Sequence, residues 1–200
     1  MPPQPIALPK QLVVEGFDAL RFFNALLRAQ GYPDIQVQNF GGNSQLHDAL
    51  DTLTKLDGFS GVTSLAVIRD AERDPDAAFQ SICTALGRAR LAFPGGAGKF
   101  VSGKPRIGVF ILPDKDSPGM LESLCLRAVA ADPTIVCVDE LMACLARVKM
   151  TSTNPTKARL QAYLAAQPRP GLRLGEAAEA GVWPWDHPAF DPLKAFLRAL

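Results

Sequence analysis

The chain has 200 residues, 48% of them hydrophobic, and a formal net charge of +1. That length and apolar content suit one globular domain with a sizeable core, and a charge so close to zero excludes a global electrostatic pull on nucleic acid or an anionic membrane. No apolar run reaches the length of a membrane span.

In chain order, the opening MPPQPIALPK has prolines ahead of a short apolar run and no basic segment, so it reads as neither signal peptide nor anchor. QLVVEG is a short β-branched run ended by Gly16, and residues 18–30 put Leu20, Phe23, Leu26 and Leu27 on one helical face. IQVQNF alternates with period two and stops at Gly41-Gly42. A helix over about 44–57 follows, with Leu46, Leu50 and Leu53 inward. Residues 63–69 form a third strand, 75–91 a third helix, and RIGVFIL at 106–112 a fourth, fully buried strand. The rest is helical in pattern, over about 118–130, 134–148, 155–166 and 191–200. Strand and helix in strict alternation predict an α/β fold, a Rossmann-like parallel sheet with helices on both faces. The expected organisation is a single domain over 1–200, its core at about 10–150 and a helical C-terminal extension at about 151–200 packed on it. Cys83, Cys125, Cys137 and Cys144 form no CxxC pair and sit in apolar, helix-like surroundings. They are expected to be reduced core cysteines of a cytoplasmic protein.

Five helix starts pair a capping side chain with proline at the first helical position: Asp74-Pro75, Ser117-Pro118, Asp132-Pro133, Asn154-Pro155 and Asp191-Pro192. Capping accounts for Asp74 in SLAVIRDAERDP (64–75) but not for Asp70 and Glu72, which stand two apart at a strand end and so can face the same side. In an open parallel sheet, sites form beyond the carboxyl ends of the strands. Three acidic groups are expected there: Glu15 after the first strand, Asp70 and Glu72 after the third, and Asp114 and Asp116 after the fourth. Oxygen ligands without a His or Cys cluster favour magnesium or manganese over zinc. Against this stands the plain alternative that acids simply populate polar loops.

On these residues the chain resembles a known domain. VVEGFDALRFF, then the glycines at 41 and 42, then RDAE at 69–72 are similar to the Toprim domain, with its Glu at the end of the first strand and an acidic D-x-D at the end of the third. GVFILPD, GMLESLCL, CVDEL and WPWDHPAFDPLKAFL extend the likeness over nearly the whole chain, to an uncharacterised bacterial family of Toprim-related proteins. Toprim domains of topoisomerases, primases and OLD-type nucleases act on phosphodiester bonds with divalent metal. The resemblance implies Glu15 as a metal ligand or general acid/base, and Asp70 and Glu72 as the pair that holds Mg2+ or Mn2+. The second member here is Glu, one methylene longer than the usual Asp. By the same resemblance Glu122 is a further metal ligand and Lys157 a catalytic lysine, while DNA or RNA is the substrate and a separately encoded ATPase a partner.

The stretch from Lys149 to Arg173 carries Lys149, Lys157, Arg159, Arg169 and Arg173 and no acid, which suits a polyanion or, equally, a solvated face. GGAGK at 95–99 lacks the Ser or Thr that a phosphate loop needs after its lysine, since Phe100 follows, and reads as a flexible loop near the site. His47 and His187, alone among histidines, have no Cys neighbour to form a zinc site. Trp183, Trp185 and Phe190 read as anchors of the C-terminal segment, Met120, Leu121, Leu124 and Leu126 as helix core. Asp18 reads as an acid in a first helical turn or a support for the site. Two functions remain: a metal-dependent nuclease or related phosphodiester enzyme, and a catalytically degenerate module that binds a nucleotide, nucleic acid or partner protein.

Overall fold

The computed structural model describes residues 4–42 and 45–200. Its strands are β1 (Lys10–Val14), β2 (Ile35–Asn39), β3 (Ser64–Asp70), β4 (Lys99–Val101) and β5 (Arg106–Leu112). Its helices are α1 (Gly16–Gln30), α2 (Leu46–Lys55), α3 (Pro75–Arg88), α4 (Leu121–Ala128), α5 (Thr134–Arg147), α6 (Pro155–Ala165), α7 (Leu174–Glu179) and α8 (Asp191–Ala199). The sheet order is β2-β1-β3-β5-β4. The first four strands are parallel, as the alternation predicts, and β1 lies against β3 with Leu12 opposite Ala66.

The core divides by strand face. Leu12, Val14, Ala66, Ile68, Phe110 and Leu112 point into one apolar cluster with α1 and α4. Val13, Leu65, Val67, Ile107, Val109 and Ile111 point into the other, against α2 and α3. Alternate side chains of one strand face opposite layers, so β3 and β5 are apolar almost throughout, as strands covered on both faces must be. The C-terminal part joins the α1 layer. Trp183 is buried with its indole N–H donating to the Leu174 carbonyl, and Trp185 meets Phe22 and Phe190 edge-on or tilted at centroid distances of 5.2 and 5.3 Å. The aromatic anchors therefore sit where their residue types suggest.

Several local expectations are corrected. The 95–99 segment runs into β4, an antiparallel edge strand on β5, where Phe100 stacks on Phe196 of α8; it is not a loop beside the site. Residues 174–179 form a short helix that no long apolar period announced. Its Gly175 is required by close approach, since a Cβ there would stand 2.7 Å from the Asp18 carbonyl oxygen and the Arg21 Cβ. Asp74 and Asn154 do cap their helices, accepting from the N–H of Ala77 and Lys157, and Asp132 accepts from Thr134 N–H. Ser117 is no cap, because α4 starts at Leu121 after an antiparallel bridge between Glu72 and Gly119. Asp191 is already helical, with a 3-10 turn leading in from His187. Cys83 and Cys125 are buried free thiols, but Cys137 and Cys144 are exposed; α5 buries only Ile135 and Val138 fully.

Candidate functional site

Parallel strands point all their carboxyl ends to one edge of the sheet, and adjacent β1 and β3 bring their following residues together. At β1 the chain turns at once into α1. Glu15 is extended (φ −90°, ψ 114°) and Gly16 takes φ +82°, a conformation suited to glycine. Asn39, at the end of β2, ties this turn down, its Oδ1 accepting from the N–H of Gly16 at 2.9 Å and of Gly41 at 2.8 Å. At β3 the strand ends in Asp70, and Glu72 follows in a left-handed turn (φ 54°) held by reciprocal backbone hydrogen bonds with Gly119, both 2.8 Å.

A cleft of about 280 Å³ opens at this edge, and Glu15, Asp70, Glu72, Glu122 and Lys157 all line it. Five residues spread over more than 140 positions of sequence thus converge. Asp70 is recessed, its Oδ1 accepting from Leu121 N–H at 2.9 Å at the first turn of α4. A carboxylate at a helix N-terminus is ordinarily favoured in its charged form. Asp70 nonetheless has its pKa pushed up to about 8, first by burial, then by the negative charge of Glu122, with Glu15 and Glu72 adding to it. The same crowding, after burial itself, raises the Cys125 thiol well above its ordinary value through Glu122 and Asp70. Lys157 is the cation at hand: its Nζ stands 3.7 Å from Glu122 Oε1, with the lysine side chain 58% exposed and the glutamate 17%.

The third expected acidic group does not join the cleft. Asp114 forms an ion pair with Arg127 and accepts from the N–H of Asp116 and Ser117, while Asp116 pairs with Lys115 at 2.7 Å. Both line a separate depression with Phe100, Phe110 and Phe196. Asp18 borders the cleft, but its carboxylate accepts from Gly175 N–H at 3.2 Å and so helps seat α7 on α1. The basic stretch is partly neutralised, since Arg159 is bound to Asp139 by two hydrogen bonds of 2.6 and 3.0 Å.

Two cleft residues escaped sequence reasoning. Phe17 stands at the rim 57% exposed. It falls outside the buried Ala19, Phe22, Phe23, Leu26 stripe of α1, a signal available in the periodicity. Arg69 is 8% exposed and borders the cleft from the opposite strand face; it donates to Ser81 Oγ at 2.8 Å while its Nε has no partner among the described residues. An arginine inside an apolar strand was the signal there.

The donor set is all carboxylate, which suits a hard divalent cation. The raised pKa of Asp70 comes from burial first and then from neighbouring negative charge that one backbone N–H does not offset. Among the described residues, no three His, Cys, Asp or Glu side chains stand close enough to hold a metal ion as they are, so these carboxylates would have to draw in. Among the described residues, no helix is long and apolar enough to cross a membrane.

Residues 9–200 match the family described as "Protein of unknown function (DUF3226)". No curated protein matches the chain. The crystal structure of a hypothetical protein from Pyrococcus horikoshii OT3 has a similar fold, with a TM-score of 0.63 and 16% sequence identity over 96% of this chain and 95% of that one.

Proposed function

Since the chain belongs to the DUF3226 family of proteins of unknown function, we propose its activity from its cleft: a divalent-metal-dependent nuclease or related phosphodiester-processing protein of Toprim-like type. Glu15, Asp70, Glu72 and Glu122 would hold Mg2+ or Mn2+. One observation carries this reading: three carboxylates, Glu122, Glu15 and Glu72, surround a recessed aspartate, and burial first and their charge second raise its pKa to about 8, with a half-exposed lysine beside them. Structural carboxylates are normally matched by cations or donors, and strongly perturbed ones in a cleft favour a functional role.

When bound, the ion would supply charge neutralisation at a phosphate and a more acidic water. Asp70 holds a proton near neutral pH and releases it as positive charge arrives. Glu15, at the foot of α1, can accept a proton from an attacking water. Lys157, more than half exposed, can swing from Glu122 to a non-bridging phosphate oxygen and stabilise the charge that develops there. DNA or RNA would be the substrate, and by the Toprim resemblance a separately encoded ATPase the partner.

The test is cleavage of supercoiled and single-stranded DNA, and of single-stranded RNA, by purified protein with manganese, alone and with a candidate ATPase. Activity should vanish in Glu15→Gln, whose fold should remain intact. Cleavage that persists in that variant would come from a contaminant. The second reading is a non-catalytic module that binds a nucleotide, nucleic acid or partner protein in the same cleft. The exposed, left-handed turn at Glu72 and the lack of ready ligand geometry favour it. Nucleotide binding without cleavage under any condition would select it.

A further inference from the structure

Helix α5 has two apolar faces where a surface helix needs one. Ile135 and Val138 are buried against the body, and Met142 packs beside them. A second set, Cys137, Leu141, Cys144 and Val148, is exposed, Leu141 by 47% and Val148 by 61%. Val148 continues the helical path, its N–H donating to the Cys144 carbonyl at 3.3 Å. Scattered exposed apolar residues need no explanation, but these recur at spacings of four, three and four, the seam of a two-helix coiled coil. At about 100° per residue, the row lies on the flank of α5 opposite Asp139, the residue that Arg159 of α6 holds. Helix α6 thus covers one flank of α5, and the seam occupies the other.

The charges beside the seam identify its occupant. Glu140 and Arg147 border it, seven residues apart and opposite in sign, and among the described residues neither forms an ion pair within the chain. In an antiparallel pair of such helices, core positions alternate across the interface and flanking residues of this kind face each other. Two copies related by a two-fold axis would then set Leu141 against Cys144, Cys137 against Val148, and Glu140 against Arg147, each contact made twice. In a parallel pair Glu140 would face Leu145 of the other copy and Arg147 would face Ser152, so neither charge would meet its opposite. We propose that α5 is the interface of an antiparallel homodimer. From 137 to 148 the seam is about 17 Å long at 1.5 Å per residue, which places the interface in the small, transient class, with dissociation in the micromolar range.

Sedimentation equilibrium of the full chain under reducing conditions tests this, since a reductant excludes dimers made by the exposed thiols. The mass should rise from monomer toward dimer between about 1 and 500 µM. Glu140→Arg and Arg147→Glu should each weaken association at least about tenfold, because each puts like charges in apposition twice. The double variant E140R/R147E should restore it, and so should an equimolar mixture of the two single variants, which are complementary only to each other. Unchanged melting temperatures of these surface variants would separate loss of association from loss of fold. A monomer at all concentrations would overturn the proposal, and so would a dimer indifferent to both single changes, or no recovery in either the double variant or the mixture.

Discussion

Two strands of the sheet end in the same pattern of an acid, one intervening residue and a second acid: β3 in Asp70 and Glu72, β5 in Asp114 and Asp116. Their electrostatics are opposite. At Asp114 burial alone would raise the pKa, but the Arg127 guanidinium and the N–H groups of Asp116 and Ser117 outweigh it, and the carboxyl ends below its ordinary value. At Asp70 a single backbone N–H opposes burial and three neighbouring carboxylates, and the pKa rises to about 8. Acidity of sequence is the same in both; what differs is whether the fold supplies cations. The β5 end is a finished loop, with Arg127 on its acid, while at the β3 end one backbone N–H stands against burial and three carboxylates. That contrast, more than the presence of acids, singles out the cleft.

The contrast breaks or holds first on pH. In metal-free protein, folded Asp70 keeps its proton between its ordinary pKa of 3.8 and about 8, where the unfolded chain has lost it. Unfolding then releases a proton, so stability falls as pH rises through this window, by about 1.4 kcal/mol per pH unit. From pH 5 to 7 the melting temperature in chelator should drop by about 5–10 °C, and Asp70→Asn should flatten the dependence. Asp114 has the opposite sign: it contributes stability above its ordinary value, lost only as pH falls through its lower folded one. Asp114→Asn should therefore leave the slope between pH 5 and 7 unchanged. A flat wild-type profile would mean that Asp70 is compensated after all.

Divalent ions sharpen the same comparison. At one hundred times its dissociation constant, a ligand bound only by the folded state adds about 2.7 kcal/mol. Manganese at neutral pH should raise the melting temperature of wild type and Asp114→Asn alike by several degrees and that of Asp70→Asn hardly at all. Equal shifts in all three would place the ion elsewhere. Next in size is the direct effect of Asp114→Asn, expected to cost about 1–2 kcal/mol because Arg127 loses a charged partner in a half-buried loop; denaturant titration reads it. A neutral outcome would make that ion pair ornamental and weaken the distinction between the two strand ends.

Much of this was legible in advance for definable reasons. A β-branched run stopped by Gly16, an alternating run stopped by Gly41 and two continuous apolar runs gave β1, β2, β3 and β5, and strict alternation with helices implied the parallel order that brings Glu15 to Asp70. Asp-Pro and Asn-Pro pairs marked the starts of α3 and α6, because capping acts within one helical turn. What stayed hidden depends on contacts distant in sequence. Lys99–Val101 is a strand only because Lys99 pairs with Val109 and Val101 with Ile107. Ser117-Pro118 has the local grammar of a helix start, yet the Glu72–Gly119 bridge holds that segment extended and delays α4. Neither the neutralisation of Asp114 by Arg127 nor the exposure of Cys137 and Cys144 leaves a local trace.

The smallest expected change in stability is also the most discriminating for function. Lys157 lies 3.7 Å from Glu122 and is 58% exposed, the geometry of a loose surface pair worth well under about 1 kcal/mol. Its backbone N–H is held by Asn154 whatever the side chain. Lys157→Ala should therefore shift the melting temperature by less than about 2 °C. Removing its charge leaves Glu122, and through it Asp70, in a more negative surrounding, so manganese should stabilise the variant at least as much as wild type. If the lysine neutralises charge on a phosphate, cleavage should still fall by about a hundredfold or more, with ion binding intact. Glu15→Gln should differ by losing cleavage and part of the ion-induced stabilisation together. Intact cleavage in Lys157→Ala would reduce that lysine to a surface residue. A large drop in its stability would make the residue structural, and buried Arg69, which bonds Ser81, would be left as the cation bordering the cleft.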